Sequence, residues 1–295
     1  MMLEGLVVAS HGRHCVVETP DGERRICHPR GKKNQVVVGD HVQWLASSDE
    51  GTIEKVEPRR NLFYRQDEIR TKSFAANLDQ VLILMAAEPE FSEMQLTRAL
   101  IAAEAQHIQP IIALNKSDLT EAFARALARL SPYTAMGYTV LQLALKHHQM
   151  GDLVTRLANK TTLVLGPSGT GKSTLINQLI PNAQVATGEI SHALNSGRHT
   201  TTATTWHWVD DERRTGLIDS PGFQEFGLHH IDAMQLAAYM PDMKPHVANC
   251  KFYNCTHLHE PHCGVQSAVK SAMISASRYK LYGLLFAELS QPTHY

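Results

Sequence analysis

The sequence predicts a multidomain α/β protein in three parts: an N-terminal OB-type β-barrel over residues 1–68, a doubly wound α/β domain over 69–228 and a helical module over 229–295. Three observations carry that reading. Short β-rich runs separated by turn signals fill the first part. Apolar strands alternate with helical stretches in the second. The third turns helical around three cysteines set within fourteen residues.

The barrel strands are read at Gly5–Ser10, His14–Thr19, Gln35–Val38 and His41–Leu45. The turns between them lie at His11-Gly12-Arg13, Pro20-Asp21-Gly22-Glu23 and Gly39-Asp40. About five short strands in so short a stretch suit a small barrel, which serves either as an RNA- or sugar-binding module or as a structural one. Arg24, Arg25, Arg30, Lys32 and Lys33 crowd into ten residues, as a solvated basic loop or as an RNA-phosphate contact, within a region of near-neutral net charge.

At 295 residues with 43% hydrophobic side chains, the chain can bury a substantial core, and its net charge of -1 does not mark it as a nucleic-acid binder. The apolar run Leu3–Ala9 is too short for a signal peptide and is interrupted by Glu4. No run approaches the ~18 apolar residues that span a bilayer. A soluble, cytoplasmic monomer without membrane contact is expected. Five cysteines do not make a disulfide scaffold in a chain of this length, and Cys15 and Cys27 are read as small hydrophobes.

In the second part, Gln80–Met85 is continuously apolar, as a buried parallel strand is. A helix over 93–107 with Leu96, Ala99, Leu100 and Ala103 on one face follows. Then come the strand Pro110–Leu114, an Ala/Leu-rich helix, and strands over Tyr138–Leu143 and Thr161–Leu165. Helices are read at Met234–Tyr239 and, unbroken, over Ser267–Glu288.

The chemistry sits on these elements. Gly166-Pro167-Ser168-Gly169-Thr170-Gly171-Lys172-Ser173 has phosphate-loop spacing between an apolar strand and a helix that begins at Thr174. Its glycines let backbone N–H groups curl around phosphate oxygens at a helix N-terminus. Lys172 then reaches the β- and γ-phosphates, and Ser173 ligates Mg²⁺. Asn115-Lys116-Ser117-Asp118 follows an apolar strand. A carboxylate there accepts both the N1–H and the amine of guanine, a donor pair that adenine lacks. Lys116 covers the base and Asn115 ties the loop. Asp219-Ser220-Pro221-Gly222 follows the strand Thr215–Ile218, so that Asp219 holds Mg²⁺ through water and the Gly222 N–H senses the γ-phosphate. Upstream, Thr200 or Thr201 is a second Mg²⁺ ligand, the two not being separated by sequence.

Cys250-x4-Cys255-x-His257-x5-Cys263 matches one closed structural Zn²⁺ site of Cys₃His type, against the alternative of buried free cysteines. His257 is preferred to His259 and His262 because the short Cys-x-His step makes a tight knuckle.

The motif order is unusual: the guanine motif precedes the phosphate loop. The parts are those of a circularly permuted P-loop GTPase domain followed by a zinc-binding domain. Such a domain folds only if its new C-terminal end is tied to the body. Together these residues resemble the ribosome small subunit-dependent GTPases (the RsgA or YjeQ family) over the whole chain. The resemblance implies GTP/GDP binding, a small (30S) ribosomal subunit and its rRNA as partner late in assembly, a barrel and zinc domain that grip the subunit, and hydrolysis that the subunit stimulates and that drives release. Where the family reads Ser-Ala in the loop that backs up the guanine, this chain reads Leu143-Ala144. Phe223 stands where many GTPases place a water-orienting glutamine, and the resemblance implies a hydrophobic residue there. His199 is then the candidate catalytic residue beside Lys172, against the alternative of an exposed loop histidine. Two other functions fit in part: a regulatory module that binds GTP without turnover, and an ATP-dependent enzyme in which Asn115–Asp118 is coincidental.

Overall fold

The computed structural model describes residues 2–31, 35–67, 71–180, 203–221, 223 and 226–291. Strands β1 (Leu3–Ser10), β2 (Cys15–Glu18), β3 (Arg24–Pro29), β4 (His41–Ala46) and β5 (Gly51–Val56) pair in the order β1-β2-β3-β5-β4, and β4 returns to β1. The sheet is therefore closed, with β3 and β5 parallel and the other pairs antiparallel. Val7, Cys15, Val17, Cys27, Val42, Trp44 and Ile53 fill its interior. Both cysteines are free and buried, as small hydrophobes are, and burial pushes Cys15 up to about 12 and Cys27 to about 11.

Two elements correct the sequence reading of the barrel. Gln35–Val38 is an extended segment rather than a ladder strand, with Val38 bridging to Ala75. Arg24 and Arg25 of the basic run lie in β3, in which only Cys27 is buried. Arg24 pairs with Glu18, Arg25 with Glu23 and Arg30 with Glu54, so its described members are matched by carboxylates. Lys32 and Lys33 lie outside the described residues.

A hairpin of β6 (Leu62–Gln66) and β7 (Thr71–Ala76) leads out of the barrel and spans position 68. The α/β domain then runs β8 (Gln80–Ala86), α1 (Glu93–Ala105), β9 (Gln109–Asn115), α2 (Thr120–Ala135), β10 (Thr139–Gln142), α3 (Leu153–Leu157), β11 (Thr161–Leu165), α4 (Lys172–Leu179), β12 (Thr205–Trp208) and β13 (Gly216–Asp219). The strand order is β10-β9-β8-β11-β13-β12, parallel except for β12. Along β8, Val81, Ile83 and Met85 pack with α1 and α2, while Leu82 and Leu84 pack with α3 and α4. Both faces are covered, which is why β8 is apolar throughout. The exception, Gln80, is fully buried and bonded to Thr162 Oγ1 (2.9 Å) and the Arg156 carbonyl (3.0 Å).

The barrel joins this domain along β1 and β12, where Ala9 opposes Thr205. The Trp208 indole N–H donates to the buried Glu18 at 2.6 Å. Gly39, at φ +90°, passes so close to β7 that a Cβ would lie 2.2 Å from the Ala76 carbonyl oxygen; any side chain there would push the barrel off the hairpin.

Beyond β13 come a 3₁₀ segment (Ala233–Tyr239), α5 (Lys244–Val247), α6 (Gly264–Lys270) and α7 (Ala276–Leu289). The expected single helix over Ser267–Glu288 is two helices, broken where Ala272 takes φ +59°. α7 anchors the module to α1. Its buried Arg278 donates to Asp242 (2.9 and 3.1 Å) and to Thr97 Oγ1 (2.8 Å), and lies over the Tyr133 ring. No helix among the described residues is long and apolar enough to cross a membrane.

Removing one partner of a buried ion pair strands the other charge. Asp242→Asn is expected to lower unfolding free energy by about 3 kcal/mol, measured by urea denaturation, whereas Arg278→Met combined with Asp242→Leu should recover most of that loss.

Candidate functional site

The ends of β9, β10, β11 and β13 lie at the same edge of a parallel sheet, where α/β proteins bind ligands. The structure places the sequence motifs there together. Gly166–Gly171 forms the turn from β11 into α4, and Lys172 opens the helix. Gly169 (φ +81°) and Gly171 (φ +98°) take left-handed conformations. Pro167, Ser168 and Gly169 lie on the outer part of the loop, and Thr170 is buried, its hydroxyl donating to the Pro167 carbonyl at 2.9 Å. Ser173 and Thr174 follow in the first turn of α4, both half-buried.

Lys172 Nζ pairs with the Asp219 carboxylate and donates to the Ser220 carbonyl at 2.9 Å. Asp219 is 1% exposed at the end of β13, beside Val164 of β11. The cation of the phosphate loop and the carboxylate at the end of β13 are thus in direct contact. On adjacent β12, burial lowers the pKa of His207, and the Asp219 charge opposes that shift.

Asn115 is the junction of the guanine end. Its Nδ2 donates to the Thr170 carbonyl at 2.9 Å, and its Oδ1 accepts from the Leu145 N–H at 3.0 Å. A Cβ on Gly171 would lie 2.4 Å from that Nδ2. Lys116, at φ +70°, donates to the Glu88 carbonyl. The Ser117 N–H donates to the Leu143 carbonyl at 3.0 Å, and Asp118 lies 3.8 Å from His147 Nε2. Leu143 and Ala144 are buried, so this loop meets the guanine motif through its backbone. Sequence reasoning missed three residues here, Leu145, His147 and Gln178, whose amide donates to the Leu145 carbonyl. A polar residue next to the end of α4 was the available signal for Gln178.

His199, Thr200, Thr201 and Gly222 lie outside the described residues. Phe223 is 2% exposed, its ring 5.9 Å from that of Phe226. It offers no polar atom to a water.

The second site is the cysteine cluster. One donor atom from each of Cys250, Cys255, His257 and Cys263 lies within 4.8 Å of the others. Cys250 and Cys263 Sγ are 3.9 Å apart, and His257 Nδ1 is 3.4 and 3.5 Å from them. A zinc tetrahedron with Zn–S of about 2.3 Å and Zn–N of about 2.0 Å has edges of about 3.5–3.8 Å, so the donor set fits a Zn²⁺ ion. The Gly264 N–H points at Cys250 Sγ (3.3 Å) and the Gln266 N–H at Cys263 Sγ (3.4 Å), which favours thiolates. Without a cation, burial pushes Cys255 up to about 12, raises Cys263 and lowers His257, and a divalent ion supplies the missing counter-charge. Behind the knuckle, Tyr279 and Tyr282 of α7 donate to the His257 and Thr256 carbonyls at 2.7 and 2.8 Å.

A family model described as RsgA GTPase matches residues 56–229. A Small ribosomal subunit biogenesis GTPase RsgA from Variovorax paradoxus (strain S110) is 70% identical, over 98% of this chain and 93% of that protein. Its namesake from Paraburkholderia xenovorans (strain LB400) is 52% identical, over 97% and 93%. Among solved structures, YjeQ from Thermotoga maritima aligns with a TM-score of 0.77 at 28% identity, covering 99% of this chain and 100% of that one. YloQ, described as a circularly permuted GTPase, aligns at 0.72 and 27% identity, over 100% and 98%.

Two outcomes are expected. Gly171→Ala displaces the Asn115 amide and strains a left-handed backbone, so GDP affinity measured by calorimetry should fall at least about tenfold, a change worth about 1.4 kcal/mol, while the circular dichroism spectrum stays unchanged. Elemental analysis of the purified chain should find one zinc per molecule, and Cys255→Ser should lose it and lower the melting temperature.

Proposed function

The chain belongs to the RsgA GTPase family, and from that premise we propose that it binds the small ribosomal subunit and its rRNA late in maturation, the subunit stimulating GTP hydrolysis and hydrolysis driving release. The observation that carries this reading is the junction at Asn115, Thr170 and Leu145, which joins guanine and phosphate elements in one site. The names of the relatives supply the ribosomal side.

In the proposed mechanism, the N–H groups of Gly166–Gly171 and the N-terminus of α4 hold the phosphates. Lys172 exchanges its pairing with Asp219 for the β- and γ-phosphate oxygens. Asp118 accepts the guanine N1–H and amine, Lys116 covers the base, and Ser117 ties the loop to Leu143. The oxygen donors of Ser173, Asp219 and Thr200 or Thr201 suit Mg²⁺, which when bound neutralises charge on the phosphates. Gly222 senses the γ-phosphate. With Phe223 buried, orientation of the attacking water falls to His199 in this reading. The zinc module holds the C-terminal end of the domain in place for the subunit. The division at residues 68 and 228 belongs to the same proposal, with the β6–β7 hairpin as the joint between barrel and G domain. A cytoplasmic monomer follows from a ribosomal partner.

Multiple-turnover phosphate release with GTP and with ATP, each with and without small subunits, tests the reading. GTP turnover that rises with subunits, ATP turnover near background and nucleotide-dependent co-sedimentation are expected. ATP preference removes the guanine assignment, and absence of turnover with subunits favours a binding module. In the same assay His199→Ala should lower kcat by about 100-fold with little change in GTP affinity; equal losses in both remove its catalytic role.

A further inference from the structure

The loop after β10 has no recognisable chemistry in its sequence, yet it is held as firmly as the motifs around it. Leu145–His147 form a single 3₁₀ turn, closed by His148 at φ +56°, whose N–H donates to the Leu145 carbonyl. Ala144 and Gln149 exchange both backbone hydrogen bonds across the base of the loop (2.9 and 3.1 Å). Leu145 is buried and gripped on both sides, its N–H by Asn115 and its carbonyl by Gln178 of α4. Leu143 is bonded through its N–H to Leu114 and through its carbonyl to Ser117. A turn fixed in this way presents its exposed side chains from a set backbone. One of them, His147, has Nε2 3.8 Å from Asp118 Oδ2. Among the described residues, His147 is the one charged or titratable side chain that pairs with Asp118.

Resting on the reading of Asp118 as the guanine acceptor, we propose that His147 is a positioning residue for guanine recognition, its imidazole N–H holding the Asp118 carboxylate in the rotamer that presents both oxygens to the base. An ionised carboxylate has about four lone-pair sites. Guanine's N1–H and amine use one on each oxygen. A donor on the far side of Oδ2 uses a third and competes with neither. The 3.8 Å separation closes to hydrogen-bond length by a small side-chain rotation when the base binds, as contacts in ligand-free sites tighten on binding. The requirement is specific to guanine. A base offering only N1–H needs one oxygen, which a rotating carboxylate supplies in any orientation. A base offering two parallel donors needs both oxygens in the plane of its edge. Leu143 and Ala144 offer no polar side-chain atom, so the imidazole supplies the side-chain support of guanine readout.

The test is the ratio of affinities for GDP and inosine diphosphate, which lacks the amine, measured by calorimetry on the full chain. His147→Ala should weaken GDP binding about fivefold, the worth of one hydrogen bond of about 1 kcal/mol, and leave inosine diphosphate binding within twofold, so the ratio falls. His147→Gln, which keeps an N–H donor, should restore the ratio, and His147→Phe, which keeps only bulk, should not. Equal loss for both nucleotides assigns the residue to loop stability and overturns the proposal. Tighter GDP binding by His147→Ala shows that the imidazole competes with the base, and also overturns it. A wild-type chain that binds neither nucleotide removes the guanine reading and this proposal together, whereas wild-type GDP binding with an unchanged ratio in His147→Ala removes His147 alone.

Discussion

The site depends on one buried amide. Asn115 is 4% exposed and spends both ends of its side chain on backbone, donating to Thr170 and accepting from Leu145. Those partners stand 55 and 30 residues away along the chain. Neither bond depends on which loop comes first in sequence. A parallel sheet places the C-terminal ends of its strands at one edge whatever order the chain visits them in, and the amide welds the loops there. That is the physical reason a permuted motif order still yields one site, and Gly171 is the concession the backbone makes to it, since any Cβ would occupy the position of the amide nitrogen.

Permutation moves the difficulty to the ends. The strand that carries Asp219 is followed by a segment whose connection onward must be held by something other than the sheet. Phe226 sits among Phe63, Phe74 and Phe223, so the residues after β13 pack under the β6–β7 hairpin. Backbone continues the tie: Gln66 donates to the Gly227 carbonyl (3.1 Å) and accepts from the His229 N–H (3.0 Å). The hairpin thus straddles the sequence boundary at residue 68 and is tied by contact to the residues that follow β13. The C-terminal module completes the tie through α7 and the buried Arg278, and the cysteine cluster closes the loop in front of α7. Cys263 is both a member of the Cys₃His donor set and the N-cap of α6, accepting from the Gln266 N–H, so one sulfur serves the candidate metal site and the helix.

Much of this was legible. Phosphate-loop spacing, the guanine motif and the Cys₃His spacing are local patterns, and each lies where its elements put it. The features that escaped are those in which composition and role diverge. β3 escaped because a strand on a small barrel buries few side chains, and its Arg24-Arg25 start, with His28 on the outer face, resembles a basic loop. Gln35–Val38 was read as a strand because valine favours strands, but its valines pack inward from an irregular segment. The break between α6 and α7 has no Gly or Pro to announce it, only Ala272 in a left-handed conformation. Leu145 and Gln178 act through backbone or across 33 residues, and no pattern within one segment encodes such a contact.

The pairing of Lys172 with Asp219 sets how the site must respond to a nucleotide. One ammonium cannot satisfy the buried Asp219 carboxylate and a triphosphate at once, and an unpaired carboxylate at 1% exposure is costly. If phosphates draw Lys172 away, as the proposed mechanism has it, Asp219 would require a new cation, which a hydrated Mg²⁺ held by Ser173 would supply. The same lysine holds the Ser220 carbonyl, so the exchange acts on the backbone just ahead of Phe223 and Phe226. The Phe226 carbonyl in turn accepts from Arg98 of α1 (3.3 Å), whose guanidinium also pairs with Glu288 of α7. Charge exchange at the phosphate loop and the seating of the C-terminal helix therefore converge on one short stretch of backbone. A change of partner at Lys172 thus acts on the same short stretch of chain that carries Phe223 and Phe226, whose packed rings and Arg98 contact lead to the far module. What the permutation adds is proximity: among the described residues, no strand or helix of the sheet lies between Asp219 at the end of β13 and the C-terminal module.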